Sequence, residues 1–228
     1  MQYGEKLAEL SLKMGAIRLQ PNDPFLWASG YRMPIYNDNR MLLSSSEARK
    51  TVAEGFLELI RSEAIDFDVI AGTSTAGIPH STTLADMLNT PLTYVRTKAK
   101  DHGLGNQIEG LGAEQNYHNQ KVILIEDLIS TGGSSIKAVE AVRQAHGDIN
   151  WCLAIFSYGL EKARHRFAEL EPHCNTKTIL DYDTLIQVAR SINSIDPEEE
   201  RALLAWRDDP FGWGEKHGFP PKREVVAA

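Results

Sequence analysis

Residues 122–134 read Val-Ile-Leu-Ile-Glu-Asp-Leu-Ile-Ser-Thr-Gly-Gly-Ser. The four aliphatic residues Val122 to Ile125 do not alternate with polar ones, so they fit a strand buried on both faces. Such a strand belongs inside a parallel sheet with helices on either side. Two adjacent carboxylates, Glu126 and Asp127, follow at its carboxyl end. Leu128 and Ile129 lead into a turn of Ser130, Thr131, Gly132 and Gly133, and a helix is predicted from Ser134. In open α/β sheets, ligands bind beyond the carboxyl ends of the strands. Glycines let backbone N–H groups come close to an anion, and a helix start favours a phosphate. The carboxylates can accept hydrogen bonds from sugar hydroxyls, so this one segment suits a phosphorylated sugar. No Gly-x4-Gly-Lys-Ser/Thr occurs, which excludes a Walker-type loop.

The rest of the chain repeats the alternation of strand and helix. Leu7, Leu10 and Met14 mark a helix over 3–14, and Ser44 with Glu47 predicts a capping box for a helix reaching about residue 62. Strands are expected at 68–72, 92–96, 122–125, 151–156 and 178–180. Helices are expected at 78–88, 134–146, 160–170, 183–191 and 197–206. Residues 22–40 read as irregular to extended, and the tail from Pro210 as irregular, because prolines and glycines punctuate both. The fold class is therefore α/β, a central parallel sheet with helices on both faces. One segment resists this pattern. Residues 97–120 have little apolar periodicity but hold Lys98, Lys100, His102 and four glycines, and a loop this long in a compact domain is usually functional.

Composition narrows the function. At 228 residues, one domain is expected. A net charge of -7 disfavours coating of nucleic acid, and no apolar run reaches the ~20 residues of a membrane helix. The first residues lack the basic start and apolar stretch of a signal peptide. Cys152 and Cys174 lack motif spacing and are expected to be packed free thiols, which suits a reducing cytoplasm. The seven histidines form no His-x3-His or His-Glu-x2-His pattern, so no protein metal site is expected.

The 122–134 segment resembles the phosphoribosyl-pyrophosphate (PRPP) motif of type I phosphoribosyltransferases. Three further segments are similar to the orotate phosphoribosyltransferases in particular. These are Phe25-Leu-Trp-Ala-Ser-Gly-Tyr-Arg-Met-Pro-Ile-Tyr-Asn-Asp-Asn-Arg40, Ala71-Gly-Thr-Ser-Thr-Ala-Gly-Ile-Pro79 and the run from Tyr94 to Gly110. The resemblance spans about residues 1–190 and implies three parts: a helix and hood over the base site (1–40), the transferase core (41–195), and a C-terminal helix and tail (196–228). It implies transfer of the 5-phosphoribosyl group from PRPP to orotate, giving orotidine 5′-monophosphate and pyrophosphate in pyrimidine biosynthesis. It also implies Mg²⁺ carried mainly on the pyrophosphate and a homodimer that shares its mobile loop.

By the same resemblance, PRPP is met by Arg96, Lys98, Lys100, His102, Glu126, Asp127, Leu128, Ile129, Ser130, Thr131, Gly132, Gly133 and Ser134. Arg96, Lys100 and His102 are implied to be catalytic, because leaving pyrophosphate needs cations as its charge develops. Ser130 and Tyr36 are implied to touch orotate, with Tyr36 stacking on the pyrimidine. The chain departs from the enteric-type enzymes, which have lysines at the positions of Thr97, Ala76 and Ala28 and an orotate-binding arginine near Tyr158. Arg32 and Arg40 are then the candidates for countering the orotate carboxylate. Two other readings are a transferase for another nucleobase and a PRPP-sensing regulator. The hood segment and the Lys-x-Lys-x-His loop argue against the first. The intact cationic loop and acidic charge argue against the second.

Overall fold

The computed structural model describes residues 2–97 and 107–222. In chain order, helix α1 (Gln2–Met14) is followed by four short strands, β1 (Ile17–Leu19), β2 (Phe25–Leu26), β3 (Arg32–Met33) and β4 (Ile35–Asn37). A 3₁₀ turn (Asn39–Ser44) leads to α2 (Ser46–Ser62), β5 (Val69–Thr73), α3 (Gly77–Leu88), β6 (Leu92–Val95) and β7 (Ile108–Glu109). Then come β8 (Lys121–Ile129), α4 (Gly133–Gln144), β9 (Asp148–Ser157), α5 (Glu161–Ala168) and β10 (Asn175–Asp181). Helices α6 (Tyr182–Ser191), α7 (Pro197–Asp208) and α8 (Trp213–Lys216) complete the described chain.

Six strands form the central sheet in the order β10-β9-β8-β5-β6-β7. All neighbours are parallel except β7, which runs antiparallel at the edge. The period of two along β8 explains its uninterrupted aliphatics. Ile123 and Ile125 enter one core cluster with Ile70, Leu153 and Ile155. Val122 and Leu124 enter a second, with Val69, Ala71 and Val139. The helices cover the two faces separately: Leu7, Phe56, Leu185 and Trp206 belong to the first cluster, and Val142 and Phe167 to the second. Truncating one of the fully buried aromatics, such as Trp206, would cost about 3–5 kcal/mol.

The structure corrects the sequence reading at its boundaries. The capping residue of α2 is Ser45, whose Oγ accepts from Ala48 N at 3.2 Å. Ser44 instead donates to Met41 O at 2.8 Å, because the 3₁₀ turn ahead of the helix uses it. Strand β8 runs four residues past Ile125, so Glu126 to Ile129 lie within a strand. The tail beyond Pro210 is not all irregular: α8 buries Trp213 against the first cluster, and its indole N–H donates to Ala202 O at 2.8 Å. Glycines at 212, 214 and 218 obscured that helix in the sequence. Cys152 and Cys174 are both buried and free, and no described helix is long and apolar enough to cross a membrane.

Candidate active site

The sheet leaves one opening at its carboxyl edge. Strand β5 pairs with β8 only as far as Gly72 beside Ile125. On its other side β8 continues, pairing with β9 up to Ile129 beside Ser157. The last four residues of β8 therefore have a sheet neighbour on one side only. Chain order also reverses here, since β6 and β7 lie on one side and β9 and β10 on the other. That is the switch point at which α/β sheets bind ligands.

A cleft of about 360 Å³ occupies this opening. Its walls include Thr73, Ser74, Arg96, Glu126, Asp127, Leu128 and the turn Ser130–Ser134. Gly132 has φ +80°, a left-handed conformation that glycine adopts without strain. It caps α4 and brings no side-chain acceptor to the first-turn N–H groups. Helix α3, which starts beside the cleft after Ala76, is likewise uncapped by a side chain. Helices α2, α6 and α7, remote from the cleft, are capped by Ser45, Asp181 and Asp196. Uncapped N–H groups at two helix starts suit phosphate oxygens.

The acidic pair is split by its surroundings. Glu126 is only 4% exposed, and both its oxygens are engaged. Its Oε1 lies 2.6 Å from Thr73 Oγ1 and 3.0 Å from Asp127 N, and its Oε2 lies 3.1 Å from Ser135 Oγ. Burial first, then the hydrogen bond and charge of Asp127, push the Glu126 carboxyl up to about 8. Asp127 is only partly buried and lines the cleft. Its backbone oxygen accepts from Asn39 Nδ2 at 2.7 Å, which ties the N-terminal segment to the tip of β8.

The opposite wall holds the roots of the long loop. Arg96 Nη1 pairs with Glu109 Oε1 at 3.3 Å, and Arg96 N donates to Gln107 O. Thr97 N donates to Ser74 Oγ at 3.1 Å, joining this root to the loop after β5. The Ser74–Thr75 peptide in that loop is cis. Lys98, Lys100 and His102 lie outside the described residues. Of the other predicted residues, Ile129 turns its side chain into the second core cluster and away from this cleft. Lys137, one turn into α4, lines the cleft and forms no ion pair among the described residues. Sequence reasoning missed it, although its spacing of four from Gly133 places it on the same helix face.

Tyr36 is not among the residues lining that cleft. It sits in β4 opposite Arg18 of β1, its ring 5.7 Å from that of Phe25. The exposed Arg18 guanidinium lies 4.9 Å from both ring centres and forms no ion pair among the described residues. Arg40 is paired with Asp38, and Arg32 donates to Pro24 O. The sequence reading named those two arginines and passed over Arg18, because the pairing that sets it beside Tyr36 spans eighteen residues. Beneath the segment, Trp27, Tyr158 and Trp206 pack as an aromatic cluster. Tyr158 is a fully buried ring of this cluster.

Among the described residues, no three His, Cys, Asp or Glu side chains group as metal ligands. A Mg²⁺ that arrives on substrate phosphates needs only one or two protein oxygens. Asp127, the less buried of the two carboxylates that line the cleft among the described residues, fits that demand.

A family profile for the phosphoribosyl transferase domain matches residues 39–162. An orotate phosphoribosyltransferase of Listeria innocua is 45% identical over 216 residues, covering 94% of this chain and all of that protein. One of Bacillus pumilus is 48% identical over 206 residues, covering 90% of this chain and 94% of that protein. The crystal structure of the Aeropyrum pernix orotate phosphoribosyltransferase aligns with a TM-score of 0.67 at 24% identity, over 83% of this chain and 99% of that one. A UMP synthase of Leishmania donovani aligns with a TM-score of 0.72 at 23% identity, over 90% of this chain and 42% of that one. These two likenesses concern the fold. With nearly full-length relatives at this identity, and with the cleft, turn and acidic pair where the fold places its ligand, the chain belongs to the orotate phosphoribosyltransferase family.

Proposed function

We propose that the protein transfers the 5-phosphoribosyl group from PRPP to orotate, releasing pyrophosphate and forming orotidine 5′-monophosphate. The observation that carries this reading is the bare, glycine-capped start of α4 facing the same cleft as Asp127. The Ser130–Ser134 turn and first-turn N–H groups hold the 5′-phosphate. Asp127, with Glu126 behind it, meets the ribose hydroxyls. Thr73 and Ser74 edge the pyrophosphate side, and Lys137 adds a cation to the cleft. Arg96 exchanges its Glu109 contact for the leaving group, assisted by Lys98, Lys100 and His102 from the long loop. Mg²⁺, when bound, would neutralise part of the pyrophosphate charge, and Asp127 would offer it a protein oxygen.

Orotate lies under the hood formed by residues 1–40. Ser130 and the ring of Tyr36 contact it, and Arg18 rather than Arg32 or Arg40 faces its carboxylate, since the latter two are tied within the hood. The protein acts in the cytoplasm as a homodimer in which each long loop reaches the partner's cleft. The direct test is loss of orotate absorbance on adding PRPP and Mg²⁺. Turnover of a purine base with none of orotate would replace this reading by the other-nucleobase one. Mixing inactive Lys100→Ala and Asp127→Asn proteins tests the shared loop: a proven hybrid that regains no activity rejects it.

A further inference from the structure

Helix α4 begins in a way that an anion would favour. Helices α1, α2, α5, α6 and α7 each carry an acidic residue in the first turn, which suits the positive end of a helix. Helix α4 carries none there, and no side chain caps it. Its first intrahelical bond runs from Ile136 N to Gly132 O at 3.0 Å, so the N–H groups of Gly133, Ser134 and Ser135 precede the ladder. To this positive end the sequence adds a further positive charge, Lys137.

Helical side chains lean toward the N-terminus, so Lys137 covers the turn that precedes it. Positions 133 and 134, four and three residues back, are a glycine and a serine, which leave room for a four-carbon stem. One turn rises about 5.4 Å, within a lysine's reach. Lys137 lines the cleft together with that turn, is exposed, and forms no hydrogen bond or ion pair among the described residues. The other described cation lining the cleft is Arg96, on the opposite wall and paired with Glu109. Arg166 of α5 also reaches the turn, but it does not line the cleft and donates to Thr131 O at 3.3 Å. Among the described residues, the phosphate end of the cleft thus has one cation with no protein partner.

We propose that Lys137 is a binding residue for the 5′-phosphate of the phosphoribosyl group, its ammonium reaching back over Gly133 to the phosphate held by the α4 N–H groups. This rests on the phosphoribosyl-transfer reading above and deepens it. The 5′-phosphate is common to PRPP and orotidine 5′-monophosphate and is unchanged while C1 reacts. A cation there serves substrate and product alike and leaves the pyrophosphate to Arg96 and the long loop. An interaction equal in the ground and transition states lowers KM and leaves kcat as it is. Lys137 therefore favours ligands that carry a phosphorylated sugar over free pyrophosphate.

Lys137→Met keeps most of the stem and removes the charge. In calorimetric titrations with Mg²⁺ present, it should weaken PRPP and orotidine 5′-monophosphate about 10-fold each, and pyrophosphate by less than about 2-fold. Lys137→Glu should weaken the first two about 100-fold, and Lys137→Arg should stay within about 3-fold of wild type. In steady-state kinetics Lys137→Met should raise the KM for PRPP about 10-fold with kcat within about 2-fold. Lys137 is exposed and belongs to neither core cluster, so these variants should keep the wild-type thermal midpoint. Weakened pyrophosphate with the nucleotide unchanged would move Lys137 to the pyrophosphate side and overturn the assignment. PRPP and nucleotide both within about 2-fold of wild type in Lys137→Met would make it a solvated lysine and overturn it as well. A loss of kcat at constant KM would tie Lys137 to the transition state instead. The PRPP and pyrophosphate titrations need no orotate. If PRPP weakens selectively while the wild type leaves orotate untouched, only the identity of the base falls.

Discussion

The proposed phosphate site in the cleft and the proposed base site beside the N-terminal strands are built in opposite ways. The phosphate side is one continuous segment, from the tip of β8 through the Gly132 turn into α4. The base side gathers Arg18, Phe25, Trp27 and Tyr36 from the N-terminal strands, Tyr158 from beyond β9 and Trp206 from α7. A contiguous site is rigid because secondary structure fixes every part of it. A gathered site depends on long-range packing, such as the Trp206 Nε1 to Met33 Sδ contact and the Lys222 N to Gly30 O hydrogen bond. The two sides should therefore fail differently when perturbed.

The largest effect should come from Asp127→Asn. It keeps shape and removes the cleft-facing charge, so kcat/KM should drop about 1000-fold, near 4 kcal/mol of lost transition-state stabilisation. Steady-state kinetics in both reaction directions checks this. A loss for PRPP alone, with the nucleotide bound as well as by wild type, would show that the ribose is not its partner.

Next is an acid weakness in α3, outside both sides. His80 there is buried, its Nε2 has no hydrogen-bond partner among the described residues, and burial lowers its value to about 4. The unfolded chain, with an ordinary histidine near 6.5, binds the proton more readily. Stability is thus full above about pH 6.5 and is lost as pH falls toward 4, by about 3 kcal/mol. Urea midpoints at neutral and acid pH measure this, and His80→Gln should flatten the difference.

Gly132→Val should weaken PRPP about 100-fold by calorimetry. A β-branched residue resists φ +80°, and its Cβ would sit 3.3 Å from the Phe167 ring, so the turn must move. Orotate affinity should change little, which is the sharpest separation of the two sides. Arg18→Gln should do the reverse at smaller size. The KM for orotate should rise about 10-fold, the loss of one charge-assisted contact, with PRPP unaffected. An equal rise for both substrates would place Arg18 in general stability and not in base recognition.

This contrast also explains what the sequence made legible. The β8–α4 segment could be read because strand, carboxylates, hydroxyls and glycines lie within thirteen residues, and period and turn chemistry act locally. The parallel sheet followed from aliphatic runs for the same reason. Arg18 and the aromatic floor could not be read, since a lone arginine or tryptophan carries no local sign of its partner. The burial of Glu126 beside an accessible Asp127 was equally hidden. Two neighbouring acids look alike in a sequence, and only the early end of β5 and the arrival of Ser135 set them apart. The helix at Trp213 was concealed by glycines that serve close packing, as at Gly214, where a Cβ would come within 2.7 Å of Phe219 O.

The contact between Asn39 and the Asp127 carbonyl carries a wider consequence. Where β5 stops short, the tip of β8 offers an open socket, and the base-side segment plugs into it through one amide. Asn39 is buried there, with its oxygen held by Asn37 Nδ2. The N-terminal segment is thus joined to the tip of β8 by this amide and to the rest of the fold through the first core cluster. A new N-terminal segment that read a different ring would have to supply both the amide and that packing while the sheet, turn and acidic strand stayed as they are.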